Sequence, residues 1–407
     1  MKIGKTLSKY VCLVDPSAIP HLQSDGTLLV QLERALYGLP ESGKLWHEFL
    51  SDALRKSGYE VMEGNTCIWR RLSRDKKAGL IGVSFILIYV DDLFHIYKGK
   101  GMREYLYAQL TKHNLPNLTV HPLTAQTPIS FLGLSIEIVD GRCLYVSQPG
   151  YIAAMVSNFE YGRKTSDFNS RKLTDLQSRP LTELGKSEFL KMIMSLAWLV
   201  RTRIDIHVCV SHLQTRCQEP RAIDMLDLRH IIGYLATTPN LGIRMDVIDM
   251  QPYLYVDVGH ATHSDRKSHE GALVTLGING PPIIWKSGKQ KIVATSSTEA
   301  ELIGVSDYAD LILVTRRLLE FLRVDITTPL IVFQDNTSTI TVAYLGRPSI
   351  HARRRFIDIR FFWIKQFLDN STFELQYLPT EFMLADFLAS VRSGAAFKKF
   401  RVAIMGA

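Results

Sequence analysis

Apolar positions along the first 150 residues follow mixed helical and strand rhythms. The segment Leu36-Tyr37-Gly38-Leu39-Pro40-Glu41-Ser42-Gly43 reads as a turn. The helix predicted after it carries Leu45, Trp46, Phe49, Leu50, Ala53 and Leu54 on one stripe, with Gly58 as its stop. The run Ile81-Gly82-Val83-Ser84-Phe85-Ile86-Leu87-Ile88 is β-branched and apolar, which predicts a buried strand. It leads into Tyr89-Val90-Asp91-Asp92, and Leu93 to Tyr97 can return as its partner. A charged helix near 101–113 and a strand over Phe131 to Ile138 are expected next. The stretch 160–182 is polar and rich in Ser, Asp, Arg and Lys, as a connection would be. Helical patterns then cover 187–213 and 222–237.

The rhythm changes near 245–252, where a domain boundary is expected. Strand-like runs follow at Tyr253 to Asp257, Ala272 to Leu276 and Pro282 to Trp285. A long helix is expected from Thr298 to Leu322, then a strand from Leu330 to Asp335, helices, a strand from Phe373 to Tyr377, and a short helix around Met383 to Leu388. Three strands, helix, strand, helices, strand and helix form a coherent α/β layout.

Composition narrows the setting. The chain has 407 residues, enough for two or three domains, with 46% hydrophobic and 22% charged residues, as in an ordinary globular protein. A formal charge of +8 favours a polyanionic partner. Cys12, Cys67, Cys143, Cys209 and Cys217 are scattered and lack metal-ligand spacing, so a reducing, intracellular setting and no structural zinc are expected. The start, Met1-Lys2-Ile3-Gly4-Lys5, has no secretory pattern behind it. The longest apolar run falls far short of the roughly 20 residues that a spanning helix needs, so no membrane partner is expected.

Two sets of acids bear on chemistry. Asp91 and Asp92 are adjacent carboxylates at a strand end. If buried, they repel and cost desolvation energy unless a cation joins them, and Mg²⁺ takes oxygen ligands and bridges to phosphates. A hairpin whose turn happens to be Asp-Asp is the plainer reading. In the second set, Asp257 ends a strand, Glu301 lies in the first turns of the long helix, Asp335 ends another strand, and Asp386 lies in the last short helix. If the two strands are neighbours, these carboxylates cluster and call for two Mg²⁺ about 4 Å apart, which would hold a phosphodiester for attack by water. Both Ser296-x-x-Glu299 and Thr298-x-x-Glu301 match a helix capping box. Glu299 and Glu301 point to nearly opposite sides of the helix, so capping is assigned to Glu299 and chemistry to Glu301. Arg347, His351, Arg353, Arg354, Arg355 and Arg360 surround the single acid Asp358, interleaved with Phe356, Phe361, Phe362 and Trp363. This is either a phosphate-binding patch or the solvated face of an amphipathic helix.

Taken in order, these segments resemble the reverse transcriptase and ribonuclease H portion of copia-type LTR retrotransposon polyproteins. The resemblance rests on Ala35-Leu36-Tyr37-Gly38-Leu39 with Trp46, Tyr89-Val90-Asp91-Asp92, Phe131-Leu132-Gly133, Ser147-Gln148 with Tyr151, and Ser195-Leu196-Ala197. It continues through Arg266-Lys267-Ser268, Trp285-Lys286-Ser287 with Lys289-Gln290, Ser296 to Glu301, Asp335-Asn336, His351 with Ile357 to Arg360, and Ala385-Asp386. A dozen segments in family order is a specific signal. It implies a partial reverse-transcriptase palm over 1–150, a mostly helical thumb or connection over 151–249, and a ribonuclease H-like mixed five-stranded sheet with flanking helices over 250–407. By this matching, Asp91 and Asp92 fall on the polymerase metal pair. Asp257, Glu301, Asp335 and Asp386 fall on the ribonuclease H carboxylates, which use Mg²⁺ or Mn²⁺, and His351 falls on an auxiliary position. The implied partners are an RNA–DNA hybrid and an RNA template with a DNA primer, in a cytoplasmic particle or the nucleus.

The chain departs from the family where a further aspartate belongs, on a strand before Tyr37-Gly38. Asp15 precedes Pro16 and Asp25-Gly26 reads as a turn, so neither matches. An incomplete polymerase joined to a compositionally complete ribonuclease H is therefore expected. The alternative is a non-catalytic nucleic-acid-binding remnant.

Overall fold

The structure is a computed structural model that describes residues 2–31, 38–75, 80–115, 119–166, 178–345 and 355–406. It divides into two compact units, Met1–Thr119 and Val120–Ala407.

In the first unit, β1 (Lys2–Ile3) pairs antiparallel with β2 (Leu28–Leu29), and α1 (Lys5–Val14) lies between them in sequence. α2 (Ser42–Lys56) precedes an antiparallel meander of β3 (Glu60–Met62), β4 (Asn65–Asp75), β5 (Leu80–Tyr89) and β6 (Asp92–Lys100), followed by α3 (Met102–Lys112). The stripe expected on α2 splits: Leu50, Ala53 and Leu54 are buried, whereas Leu45 and Phe49 are exposed. Leu50 and Leu54 join Trp69, Ile86, Ile88, Leu106 and Leu110 in one core, so both helices cover a single face of the sheet. β5 is consequently not buried throughout. Ser84, Ile86 and Ile88 point inward, while Ile81, Leu87 and Tyr89 are exposed on the opposite face, as the period of two requires.

The second unit opens with β7 (Ile129–Phe131), β8 (Leu134–Val139) and β9 (Cys143–Ser147). The single strand expected over 131–138 is broken by Leu132 and Gly133, both at positive φ (53° and 75°), which turn the chain back on itself. Among the described residues, four α-helices follow: α4 (Pro149–Asn158), α5 (Glu183–Leu199), α6 (His207–Gln214) and α7 (Ala222–Thr237). β10 (Ile243–Met245) then returns to pair with β9, so the segment expected to be mostly helical contributes a strand to the sheet before it. Between α5 and α6, Arg203 and Asp205 form a fully buried ion pair, with Arg203 Nε 3.0 Å from Asp205 Oδ1 and Nη2 2.8 Å from Oδ2. Arg203 also donates to the Thr238 carbonyl, and Tyr234 donates to Asp205 Oδ2 at 2.6 Å, which ties α7 to the same charges.

A five-stranded mixed sheet occupies the rest of the unit, in the order β13-β12-β11-β14-β15. The strands are β11 (Pro252–Gly259), β12 (His269–Leu276), β13 (Pro282–Lys289), β14 (Leu330–Gln334) and β15 (Phe373–Tyr377). β12 runs antiparallel to its neighbours; β11, β14 and β15 are parallel. The expected mixed five-stranded sheet is therefore present. α8 (Ser297–Phe321), α9 (Thr337–Leu345) and α10 (Arg355–Asp369) accompany it; Leu254, Val256, Leu302, Val305, Ile312 and Ile364 share one core. Tyr255, Leu273 and Phe333 face the other way and pack with Phe387 and Leu388 of α11 (Asp386–Ala389), Phe397 of α12 (Gly394–Met405) and the buried residues of α5 to α7. This second core runs from Ile152 to Met405, so neither 150 nor 250 separates compact units, although the rhythm break near 245–252 does fall between β10 and β11.

Candidate active site

Register places the acids. β11 and β14 pair in parallel from Tyr253 with Ile331 to Tyr255 with Phe333. Continuing that offset by two residues sets Asp335 beside Asp257, just past the end of β14. Open α/β sheets keep their ligand crevices at such carboxyl ends. On the other side, Asp257 is paired with Gly271 of β12.

Two glycines let helices approach this edge. A Cβ on Gly304 would lie 2.7 Å from Val258 Cγ2 and 3.3 Å from Val256 Cγ1, so α8 rests directly on β11 one turn after Glu301. A Cβ on Gly271 would lie 2.6 Å from the Ala385 oxygen and 2.7 Å from the Ala389 nitrogen, so the backbone of α11 lies against the strand position paired with Asp257. The start of α8 is fixed as expected. The Ser296 hydroxyl accepts from the Glu299 amide at 3.2 Å, and the Glu299 carboxylate accepts from the Thr295 amide at 2.9 Å. Glu299 caps, and Glu301 faces the sheet edge.

Asp257, Glu301 and Asp335 each offer a carboxylate oxygen within 4.8 Å of the others. Asp257 and Glu301 are buried and Asp335 is half-buried. Gln334 Nε2 donates to Glu301 at 3.2 Å, and the Thr380 hydroxyl donates to Asp335 at 2.6 Å. Burial pushes the Asp257 carboxyl up to about 8, helped by the Asp386 and Asp335 charges and opposed by Arg392. Burial likewise lifts Glu301 well above the ordinary range, with Asp257 and Asp335 adding to it. Asp386 is buried at the start of α11, outside the 4.8 Å set, and Arg392 donates to both its oxygens. Burial raises its carboxyl against the pull of that guanidinium. Carboxylates gathered so closely disfavour the charged form, and a divalent cation removes that penalty. A donor set of oxygens alone suits Mg²⁺ or Mn²⁺.

The other acidic pair is arranged differently. Tyr89 pairs with Asp92, leaving Val90 (φ 54°) and Asp91 as the hairpin turn. Trp46 of α2 donates its indole N–H to the Val90 carbonyl at 2.7 Å and so anchors this turn to the helix. Asp91 and Asp92 are exposed, so the burial that would make their repulsion costly is not present. Among the described residues, no further acid, His or Cys joins them within metal-ligating distance. Arg347, His351, Arg353 and Arg354 lie outside the described residues, as does the side chain of Arg355. Arg360 is placed, and it ion-pairs with Asp307 of α8.

Sequence reasoning passed over Arg392, Gln334, Thr380 and the two close-packed glycines. Only Gly271 and Gln334, one residue from a motif or a predicted strand, carried a local signal.

Comparisons with known proteins agree with the order of motifs. The chain is 27% identical over 386 residues to the retrovirus-related Pol polyprotein from transposon RE1 of Arabidopsis thaliana, a match covering 91% of this chain and 24% of that protein. It is 28% identical over 285 residues to a putative transposon Ty5-1 protein of Saccharomyces cerevisiae, covering 68% of this chain and 87% of that one. The chain is related to the Pol polyproteins of copia-type retrotransposons. It spans about a quarter of the length of the RE1 polyprotein. No family model matches. A solved N-terminal RNase H domain from Mycobacterium tuberculosis aligns with 37% of this chain and 96% of its own length at 15% identity, with a TM-score of 0.25. No helix among the described residues is long and apolar enough to cross a membrane.

Proposed function

We propose that the segment from about 250 to 407 is a ribonuclease H-like domain that hydrolyses the RNA strand of an RNA–DNA hybrid. The observation that carries this reading is the convergence of Asp257, Glu301 and Asp335 within 4.8 Å at the carboxyl edge of a mixed five-stranded sheet, in a chain related to retrotransposon Pol polyproteins. The proposed metal ligands are Asp257, Glu301, Asp335 and Asp386. A bound pair of Mg²⁺ or Mn²⁺ ions would supply a water-derived nucleophile and neutralise charge on the scissile phosphate. The chain's own part is positional. β11 and β14 hold Asp257 and Asp335 side by side, and α8 carries Glu301 against them. Arg392 holds both oxygens of Asp386, whose charge is felt at Asp257. A hybrid is read by its shape and 2′-hydroxyls, so phosphate contacts from Arg347, Arg353, Arg354 and Arg355 with His351 remain the proposed binding patch, without any sequence reader.

The region 1–150 is proposed as the palm-like segment of a reverse transcriptase, with 151–249 as its connection. Exposed Asp91 and Asp92, with no third ligand nearby among the described residues, would hold metals weakly, so this chain is expected not to extend a primed template.

Purified protein is expected to cut the RNA strand of a labelled hybrid only when Mg²⁺ or Mn²⁺ is added. Asp335→Asn should abolish cutting and preserve hybrid binding, because it removes a ligand charge and keeps the shape. Tight, salt-sensitive binding by the wild type with no metal-dependent cut would replace this reading with that of a binding remnant.

A further inference from the structure

A second ligand cluster lies on the same sheet and shares no residue with the acidic set. His269 opens β12, His263 lies in the loop before it, and His212 sits near the end of α6. Ring nitrogens of all three lie within 4.8 Å of one another. His263 Nε2 is 3.0 Å from His269 Nδ1, and the His212 ring stacks on His269 with centroids 4.0 Å apart and planes 13° apart. His263 and His269 are buried and His212 is partly exposed, which leaves a way in.

The surroundings set the tautomers. The Ser287 hydroxyl donates to the Leu388 carbonyl at 2.7 Å, so toward His269 Nε2, 2.8 Å away, it can only accept. His269 therefore carries its proton on Nε2 and turns the Nδ1 lone pair toward His263 Nε2. That is the support a metal-ligating imidazole ordinarily has: one nitrogen bound to an oxygen acceptor, the other free to ligate. His263 Nε2 and His269 Nδ1 face each other across 3.0 Å, where a shared proton can give way to a cation.

We propose that His212, His263 and His269 form a binding site for one divalent transition-metal ion of the zinc class. Imidazole donors suit Zn²⁺, Co²⁺ and Ni²⁺, and three of them leave a fourth position open to water. A ring's lone pair lies in the ring plane, so the stacked His212 must turn about χ2 to present its edge, and that torsion is soft for histidine. Cysteine spacing argued against structural zinc, but histidines brought together from a helix, a loop and a strand leave no such spacing. Because Ser287 also holds Leu388 of α11, a metal here would brace the helix that begins with Asp386.

The test is Co²⁺ titration of the full, chelator-stripped chain with added Mg²⁺, followed by visible absorption and Zn²⁺ competition. One equivalent of Co²⁺ should give a ligand-field band that Zn²⁺ abolishes. His263→Gln should weaken binding by far more than tenfold. So should His212→Gln, a change at a partly exposed helix position that spares the core. Ser287→Ala should weaken it by roughly 10- to 100-fold. Asp335→Asn should leave the band in place, which separates this site from the acidic one whether or not the protein cuts hybrids. Absence of the band in folded wild type, or its survival in folded His212→Gln, would overturn the proposal.

Discussion

Asp335→Asn should make the metal-free protein more stable while removing its response to Mg²⁺. Two carboxylate charges within 4.8 Å of each other repel by at least about 3.5 kcal/mol at an effective dielectric of about 20. Asp335 faces two such partners, but it is half-buried and solvent screens part of the repulsion. Protonation of Asp257 and Glu301 relieves more, so a net gain of about 1–3 kcal/mol is expected near pH 8. The asparagine keeps an oxygen to accept from Thr380, so the hydrogen bond is not lost with the charge. The sign depends on pH. Asp257 has its folded pKa raised from 3.8 to about 8, so the folded state holds a proton that the unfolded chain has released. Metal-free stability therefore falls by about 1.4 kcal/mol per pH unit for that proton as pH rises across this window. Well below pH 8 both partners are neutral in the folded state and the variant should match the wild type. Thermal unfolding in chelator should show a rise of about 2–4 °C per kcal/mol for the variant near pH 8. Added Mg²⁺ should reverse the ranking, because saturation at a hundred times Kd stabilises only the wild type, by about 2.7 kcal/mol. A variant less stable than wild type in chelator near pH 8, with Mg²⁺ raising both equally, would show that these carboxylates do not form one charged site.

Gly304→Ala should push α8 off Val256 and Val258, costing about 1–3 kcal/mol in chemical denaturation and shrinking the Mg²⁺-dependent gain as Glu301 moves away. Asp205→Ala leaves Arg203 buried without its partner and should cost about 3–5 kcal/mol, read from the unfolding of the second unit. His95, hydrogen-bonded to Ser84 at 2.7 Å, has its pKa lowered by burial from 6.5 to about 4. The unfolded chain therefore takes up a proton first, and the first unit should lose about 1.4 kcal/mol per pH unit as pH falls through that window, a slope that His95→Gln should flatten.

Some of this architecture was legible from local pattern. The strands at Tyr253 to Asp257 and Phe373 to Tyr377, the cap of α8 at Ser296 and the assignment of Glu299 to capping each depend on period, turn chemistry or a hydrogen bond within four residues, and these act wherever the chain finds itself. The order of motifs was likewise enough to point to the retrotransposon polyproteins.

Other features depended on what each segment meets in space. An apolar run at Ile81 to Ile88 reads as buried on both faces, yet the helices of its unit cover only one, so Tyr89, Asp91 and Asp92 emerge at the surface. The Phe131-Leu132-Gly133 segment reads as strand, yet its backbone turns at positive φ because β7 and β8 pair with each other. That Asp257 and Asp335 stand side by side follows from a parallel register between strands separated by 78 positions (335 − 257). Close approach of α8 and α11 follows from two glycines whose missing side chains matter only once a helix lies on them. The histidine cluster is the extreme case. His212, His263 and His269 are unremarkable one at a time, and only the packing of α6 on the five-stranded sheet turns three separate imidazoles into one set of ligands. Local rules decide what each segment can be, while charge, metal affinity and proton holding depend on distances that long-range packing alone sets.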